Sequence, residues 1–194
     1  MSRRTLTTAL VLISACLSSA APAGAQTQNP YAGEQSRAIK ALSPKEVDDL
    51  TQGRGMGLAK PAELNRYPGP MHALELAEPL KLSGGQRQAL QASMARMSAD
   101  AKTLGAELLG LERDLDAASA TRRIDERRLK ELTALIGVKQ GALRAVHLAA
   151  HLETAAALSA EQIAQYDVLR GYSGAGAAPV PETGHGGGHG KAKH

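Results

Sequence analysis

Apolar positions along the chain recur with helical spacing, and nowhere with the alternation of a strand. Leu90, Met94, Met97, Ala101, Leu104, Leu108, Leu111 and Leu115 follow one another at steps of four and three residues. That spacing places all eight on one face of a single long helix. A second seam runs through Leu129, Leu132, Ile136, Leu143, Val146 and Ala150, with one step skipped at Lys139. Residues 118–123 join the two, and two long amphipathic helices joined that briefly must pack antiparallel. Neither face is stable alone in water, so mutual burial of the seams is the expected driving force of folding.

Shorter elements flank this hairpin. Ser43-Pro44-Lys45-Glu46 is a strong helix start, with a capping hydroxyl, proline at the first helical position and the glutamate of a capping box. The helix it opens should end near Gln52, where Gly53, Gly55 and Gly57 interrupt it. A Gly-x-Gly-x-Gly run with no strand before it and no lysine at the required place is a turn and not a phosphate loop. A short helix is expected over Leu58–Leu64, then a turn at Tyr67-Pro68-Gly69-Pro70, and another helix over Met71–Leu80. A last helix should run from Ser159 to about Arg170 and stop at Gly171. The fold class that follows is all-α: a long antiparallel helical hairpin with shorter flanking helices and a disordered C-terminal tail.

The two ends of the chain carry different signals. Arg3 and Arg4, the apolar stretch from Thr5 to Ala15 and the small residues Ala23-Gly24-Ala25 read as a secretory signal over residues 1–25. Cleavage after Ala25 removes two arginines and no acids, so the formal charge of +4 falls to +2. Ile13-Ser14-Ala15-Cys16 offers an alternative, a lipid-modified cysteine at Cys16. No other segment is apolar enough to span a bilayer, so a product soluble in the periplasm is expected. Residues 26–70 then form a linker with short helices, residues 71–172 the hairpin domain, and residues 173–194 a Gly-, Ala-, Pro- and His-rich tail without the means to build a core.

Composition removes several function classes. The chain has one cysteine, so neither an internal disulfide nor a multi-cysteine metal cluster is available. Aromatic residues make up 2% of the chain, too few for a base-stacking platform, and 19 acids dilute 23 basic residues, so no nucleic-acid partner is expected. Glu107, Glu112, Asp114 and Asp116 read as solvated charge on helix faces, with Asp114 placed to face Arg128 across the hairpin. With no nucleophile–base order in sight, no enzymatic activity is expected.

Two segments repeat one pattern: Leu82-Ser83-Gly84-Gly85-Gln86 and Leu158-Ser159-Ala160-Glu161-Gln162. In each, serine caps a helix, glutamine three residues on reaches back to the serine N–H, and the leucine before the cap staples the first turn. Taken singly these are ordinary helix starts. Their placement on either side of a long helical hairpin in an exported chain resembles the Spy/CpxP family of periplasmic stress proteins, whose repeated motif is Leu-Thr-x-x-Gln. Serine here stands for threonine in both copies, and Gly84-Gly85 weakens the first helix start.

The fragments Ala62-Glu63-Leu64-Asn65, Tyr67-Pro68-Gly69-Pro70, Arg144-x-x-His147-Leu148-x-x-His151-Leu152 and Leu169-Arg170-Gly171-Tyr172 also resemble periplasmic heavy-metal sensors grouped near that family. The resemblance spans residues 70–172. It implies an ATP-independent chaperone, an inhibitor of a membrane sensor, or a metal-resistance accessory, with the helices forming a cradle as a homodimer. Clients would be unfolded or stress-exposed periplasmic proteins. Arg122, Arg123, Arg127, Arg128 and Lys130 are the candidate client-binding cations at the hairpin tip, although Asp125, Glu126 and Glu131 lie among them.

Histidines supply the candidate metal chemistry. His147 and His151 stand one turn apart on one helix face, a spacing at which two imidazoles can hold one ion. A third ligand is needed, with Glu153, His72 or a residue of a second subunit as candidates. His185, His189 and His194 form a separate set on the glycine-rich tail. Zn, Ni or Cu suits such ligands, although no cofactor is required by the fold. The bland alternative, that His147 and His151 simply border the core, stands beside this one.

Overall fold

In the computed structural model residues 29–173 are described. The expected signal segment with Cys16, and the expected tail with His185, His189 and His194, lie outside the described residues. From Glu34 onward the chain is built on six α-helices: α1 Pro44–Gln52, α2 Lys60–Glu63, α3 Pro70–Glu75, α4 Gly84–Ala120, α5 Glu126–Ala157 and α6 Ala160–Leu169. A single turn of 3-10 helix, Glu34–Ser36, precedes them. No strand is present among the described residues, and none of their helices is long and apolar enough to cross a membrane.

The all-α hairpin expected from the seams is present: α4 packs along α5, while α1 and α3 lie against α4. Asp114 does face Arg128 across the hairpin, at 3.9 Å. Ser93 Oγ donates to Glu153 Oε2 at 2.5 Å, and Lys139 Nζ meets Glu107 Oε2 at 2.6 Å. These two pairs fix the register. The skipped seam position at Lys139 is therefore filled by an ion pair at the edge of the interface.

Burial follows the seams with one departure. Leu90, Ala101, Leu108, Leu132, Ile136, Leu143 and Ala150 are all buried, but Leu129 is 44% exposed. It lies in the first turn of α5, beyond the stretch that α1 covers. The core has two parts. Ile39, Leu50, Ala101, Leu108, Leu109, Ile136 and Leu143 form one, under α1. Ala73, Ala77, Leu80, Leu82, Leu90, Leu158 and Tyr166 form the other, where α3 and α6 meet the open end of the hairpin.

Local chemistry explains the boundaries. Ser43, Ser83 and Ser159 each form a complete capping box, with Glu46, Gln86 and Gln162 respectively. Gly53 ends α1 in the left-handed region at φ 66°. Asp125 caps α5 through Arg128 N. The helix expected over Met71–Leu80 is shorter, because α3 stops at Glu75 and the chain turns through Pro79 to Lys81, which has φ 51°. A residue before proline disfavours the helical conformation, so continuation through Glu78 is opposed locally. Similarly, α2 occupies only the centre of the stretch Leu58–Leu64.

Candidate functional site

The repeated Leu-Ser-x-x-Gln segments, 76 residues apart, meet in space. Gln86 Nε2 donates to Gln162 Oε1 at 2.8 Å, and Gln162 Nε2 returns a bond to Gln86 Oε1 at 3.1 Å. Each amide nitrogen also donates to a carbonyl just ahead of the other motif, Gln86 to Ala157 O at 2.9 Å and Gln162 to Leu80 O at 3.1 Å. Each amide oxygen accepts from its own serine N–H, at 3.0 Å from Ser83 and 2.9 Å from Ser159. Both amides are thus satisfied, and the starts of α4 and α6 are locked together. Leu82 and Leu158 are buried beside this clasp in one core.

The sequence gives the capping role correctly, but it does not reveal that the two glutamines pair. Because a half-satisfied network is costly, Gln86→Ala and Gln162→Ala should be non-additive. A double-mutant cycle by urea unfolding is expected to give a coupling of about 1 kcal/mol or more. Additivity within about 0.3 kcal/mol would mean that the amides act separately.

A second cluster surrounds Glu63. Tyr166 Oη donates to Glu63 Oε1 at 2.5 Å and Tyr172 Oη to the same oxygen at 3.1 Å. Arg170 Nε lies 3.4 Å from that oxygen, and His151 Nδ1 lies 3.6 Å from Glu63 Oε2. Burial, reinforced by the bond to Glu63, pushes the Tyr166 phenol far above its ordinary range. Arg66 ties the preceding turn to α6 through Asp167 at 2.7 Å. The four sequence fragments 62–65, 67–70, 144–152 and 169–172 therefore converge on one region. Glu63 and Tyr166 were not among the candidate site residues, since a single glutamate in a short polar stretch carries no spacing signal.

Beside this cluster opens a cleft of about 1110 Å³, walled by α2, the turn over 53–57, the start of α3 and the facing sides of α4 and α5. Met56, Met71, Met94 and Met97 all line it, which is every methionine of the chain after Met1. His72, His147 and His151 line it too, as do Lys60, Glu63 and Lys102. The turn after α1 lies directly on His147: a Cβ on Gly55 would stand 3.5 Å from His147 Nδ1. Gly69 approaches His151 still more closely, at 3.1 Å from Nε2 by the same measure.

His147 and His151 do share this wall, but in different states. His151 Nδ1 is 2.7 Å from the Tyr67 carbonyl, which fixes that nitrogen as the N–H and leaves Nε2 as the lone-pair nitrogen. His147 is 4% exposed, and its Nε2 is buried with no hydrogen-bond partner. Burial first, and then the neighbouring His151, hold His147 below its ordinary value of 6.5, so it is neutral at pH 7.

Two of the candidate third ligands, Glu153 and His72, are engaged elsewhere. Glu153 is engaged by Ser93 and by Arg96 at 2.8 Å, and these bonds, Ser93 first, hold its carboxyl below the usual range. His72 lines the cleft but is paired with Glu75 at 2.9 Å. Among the described residues no group of three or more His, Cys, Asp or Glu side chains is placed to hold a metal ion.

At the hairpin tip the basic cluster is largely neutralised. Arg127 lies 3.6 Å from Glu131, Arg128 lies 3.1 Å from Glu131, and Lys130 lies 2.7 Å from Glu126. Arg122 and Arg123 are exposed. Leu129, Leu135 and Val138 are exposed on the same end of α5. Compared with known protein families, curated proteins and solved structures, the chain matches none, so its fold and site stand on their own geometry.

Proposed function

We propose that the chain is an exported, ATP-independent binding protein of Spy/CpxP type that takes apolar segments of unfolded periplasmic proteins into the methionine-lined cleft. The observation that carries this reading is the lining itself. Methionine is unbranched and polarisable, so a surface built from it adapts to side chains of many shapes. The rim is apolar and open to solvent: Met56 is 41% exposed, Leu64 55% and Met71 50%. Lys60 and Lys102 beside it, and Arg122 and Arg123 at the far end of the hairpin, add positive charge that suits acidic stretches of a client. No nucleotide, metal or catalytic group is needed for such capture, and a homodimer would extend the surface. In a light-scattering assay with a chemically unfolded model client and no nucleotide, a molar excess of the protein is expected to suppress aggregation. Unchanged scattering would end this reading.

A second reading, a heavy-metal sensor or resistance accessory, has one specific observation in its favour. The neutral, unpartnered His147 imidazole stands one turn from His151 on the wall of the same cleft. In this reading Zn, Ni or Cu would bind there or on the tail histidines, and the loaded protein would signal to a membrane sensor.

A further inference from the structure

Among the described residues His147 and His151 belong to no group of three or more His, Cys, Asp or Glu side chains placed to hold one ion, the set that Zn or Ni takes. Sulfur is what the same cleft supplies. Met94 and Met97 are three residues apart, so they share a face of α4. With Ser93 opposite Glu153 and Glu107 opposite Lys139, the antiparallel register puts Met97 level with Ala149, between His147 and His151. Met94, Met97, His147 and His151 all line the one cleft. His147 also carries a buried Nε2 without a hydrogen-bond partner, which is a cost to the fold unless something binds it.

We propose that Met94, Met97 and His147 form a binding site for a soft monovalent metal ion, Cu(I). This rests on the metal-binding reading and is independent of client capture. Thioethers are weak ligands for hard or borderline divalent ions but good ones for Cu(I), and a neutral imidazole completes a low-coordinate set. Met56, from the turn after α1, and Met71, from the start of α3, are the further sulfur donors within the same cleft. His151 flanks the site with its Nδ1 held by Tyr67, which leaves its Nε2 lone pair as the reserve nitrogen ligand.

The test is a competition titration of Cu(I), under anaerobic reducing conditions, between the full chain and a chromophoric Cu(I) chelator. Zn(II) and Ni(II) are titrated in parallel. Met94→Leu/Met97→Leu keeps the apolar volume, so the fold should persist, and a urea unfolding curve checks that it does. The double variant is expected to lose at least tenfold in affinity for one Cu(I) equivalent, with Zn(II) and Ni(II) binding unchanged. A His185→Ala/His189→Ala/His194→Ala variant should keep that equivalent. Retention of Cu(I) affinity within twofold by the folded methionine variant would overturn the thioether site. If Zn(II) or Ni(II) binding is then lost in His147→Leu, the imidazole-based metal reading survives on its own. No binding of any of the three ions would remove both.

Discussion

Leu108→Ala and Leu143→Ala are each expected to lower unfolding stability by about 2–5 kcal/mol, the range for a buried leucine that leaves a cavity. Leu108 is 4% exposed and Leu143 3%, and both belong to the core that α1 closes over the hairpin. Their neighbours come from three helices, so the space cannot be refilled by a shift of one element. Leu129→Ala is the internal control. It belongs to the same periodic seam as Leu143, yet the side chain is exposed, and its loss should stay near or below about 0.5 kcal/mol. Urea unfolding of the three variants checks this. Losses under about 0.5 kcal/mol at both Leu108 and Leu143 would contradict the packed hairpin.

The second large effect concerns a glycine with no obvious role in the sequence. Gly105 lies in the middle of α4, where alanine would ordinarily gain up to about 1 kcal/mol. A Cβ there would stand 2.2 Å from the Leu50 carbonyl oxygen and 2.9 Å from its carbonyl carbon. The obstacle is backbone at the end of α1, so no side-chain rotation relieves it and α1 must move. With it move Leu50 and Ile39, which are buried in the same core. Gly105→Ala is expected to cost about 3 kcal/mol, at the upper end of overpacking. Gly110→Ala, five residues on in the same helix, meets nothing within 4 Å and should instead stabilise by up to about 1 kcal/mol. Thermal or urea unfolding of the pair shows whether the sign reverses between them; stabilisation by both would mean that α1 does not dock on Gly105.

The elements were legible where their cause is local. A serine, a glutamate or glutamine three residues later and an apolar run are enough to place the starts of α1, α4 and α6, and all three capping boxes formed. The heptad spacing likewise reports the buried seam, because one helix face is fixed by sequence distance alone. Its failure at Leu129 is instructive: periodicity tells which residues share a face, not where the covering element ends. The proline at position 79 was the signal against a helix running to Leu80, and it outweighs the apolar pattern there. What joins distant segments was not legible. Nothing near Gln86 points to Gln162, nothing near Gly105 points to Leu50, and Glu63 finds Tyr166 and Tyr172 only when α6 has packed. Methionines at 94 and 97 read as ordinary seam residues. Only the fold shows that two more, one from the turn after α1 and one from the start of α3, line the same cleft with them. The imidazoles at 147 and 151 were recognisable by spacing, whereas Glu153, one of the candidates for a further ligand, is held by Ser93 and Arg96.

The central claim is that apolar client segments enter the methionine-lined cleft. Its most direct test uses protein labelled with carbon-13 at the methionine methyl groups, which report from Met56, Met71, Met94 and Met97, four positions on the walls of that cleft. Added to a soluble, permanently unfolded client, the labelled protein is expected to show shifted or broadened signals from these four methyls, saturating with the stoichiometry of binding. Binding of the client, seen by co-sedimentation, with all four methyl signals unmoved would contradict the account and place capture on another surface.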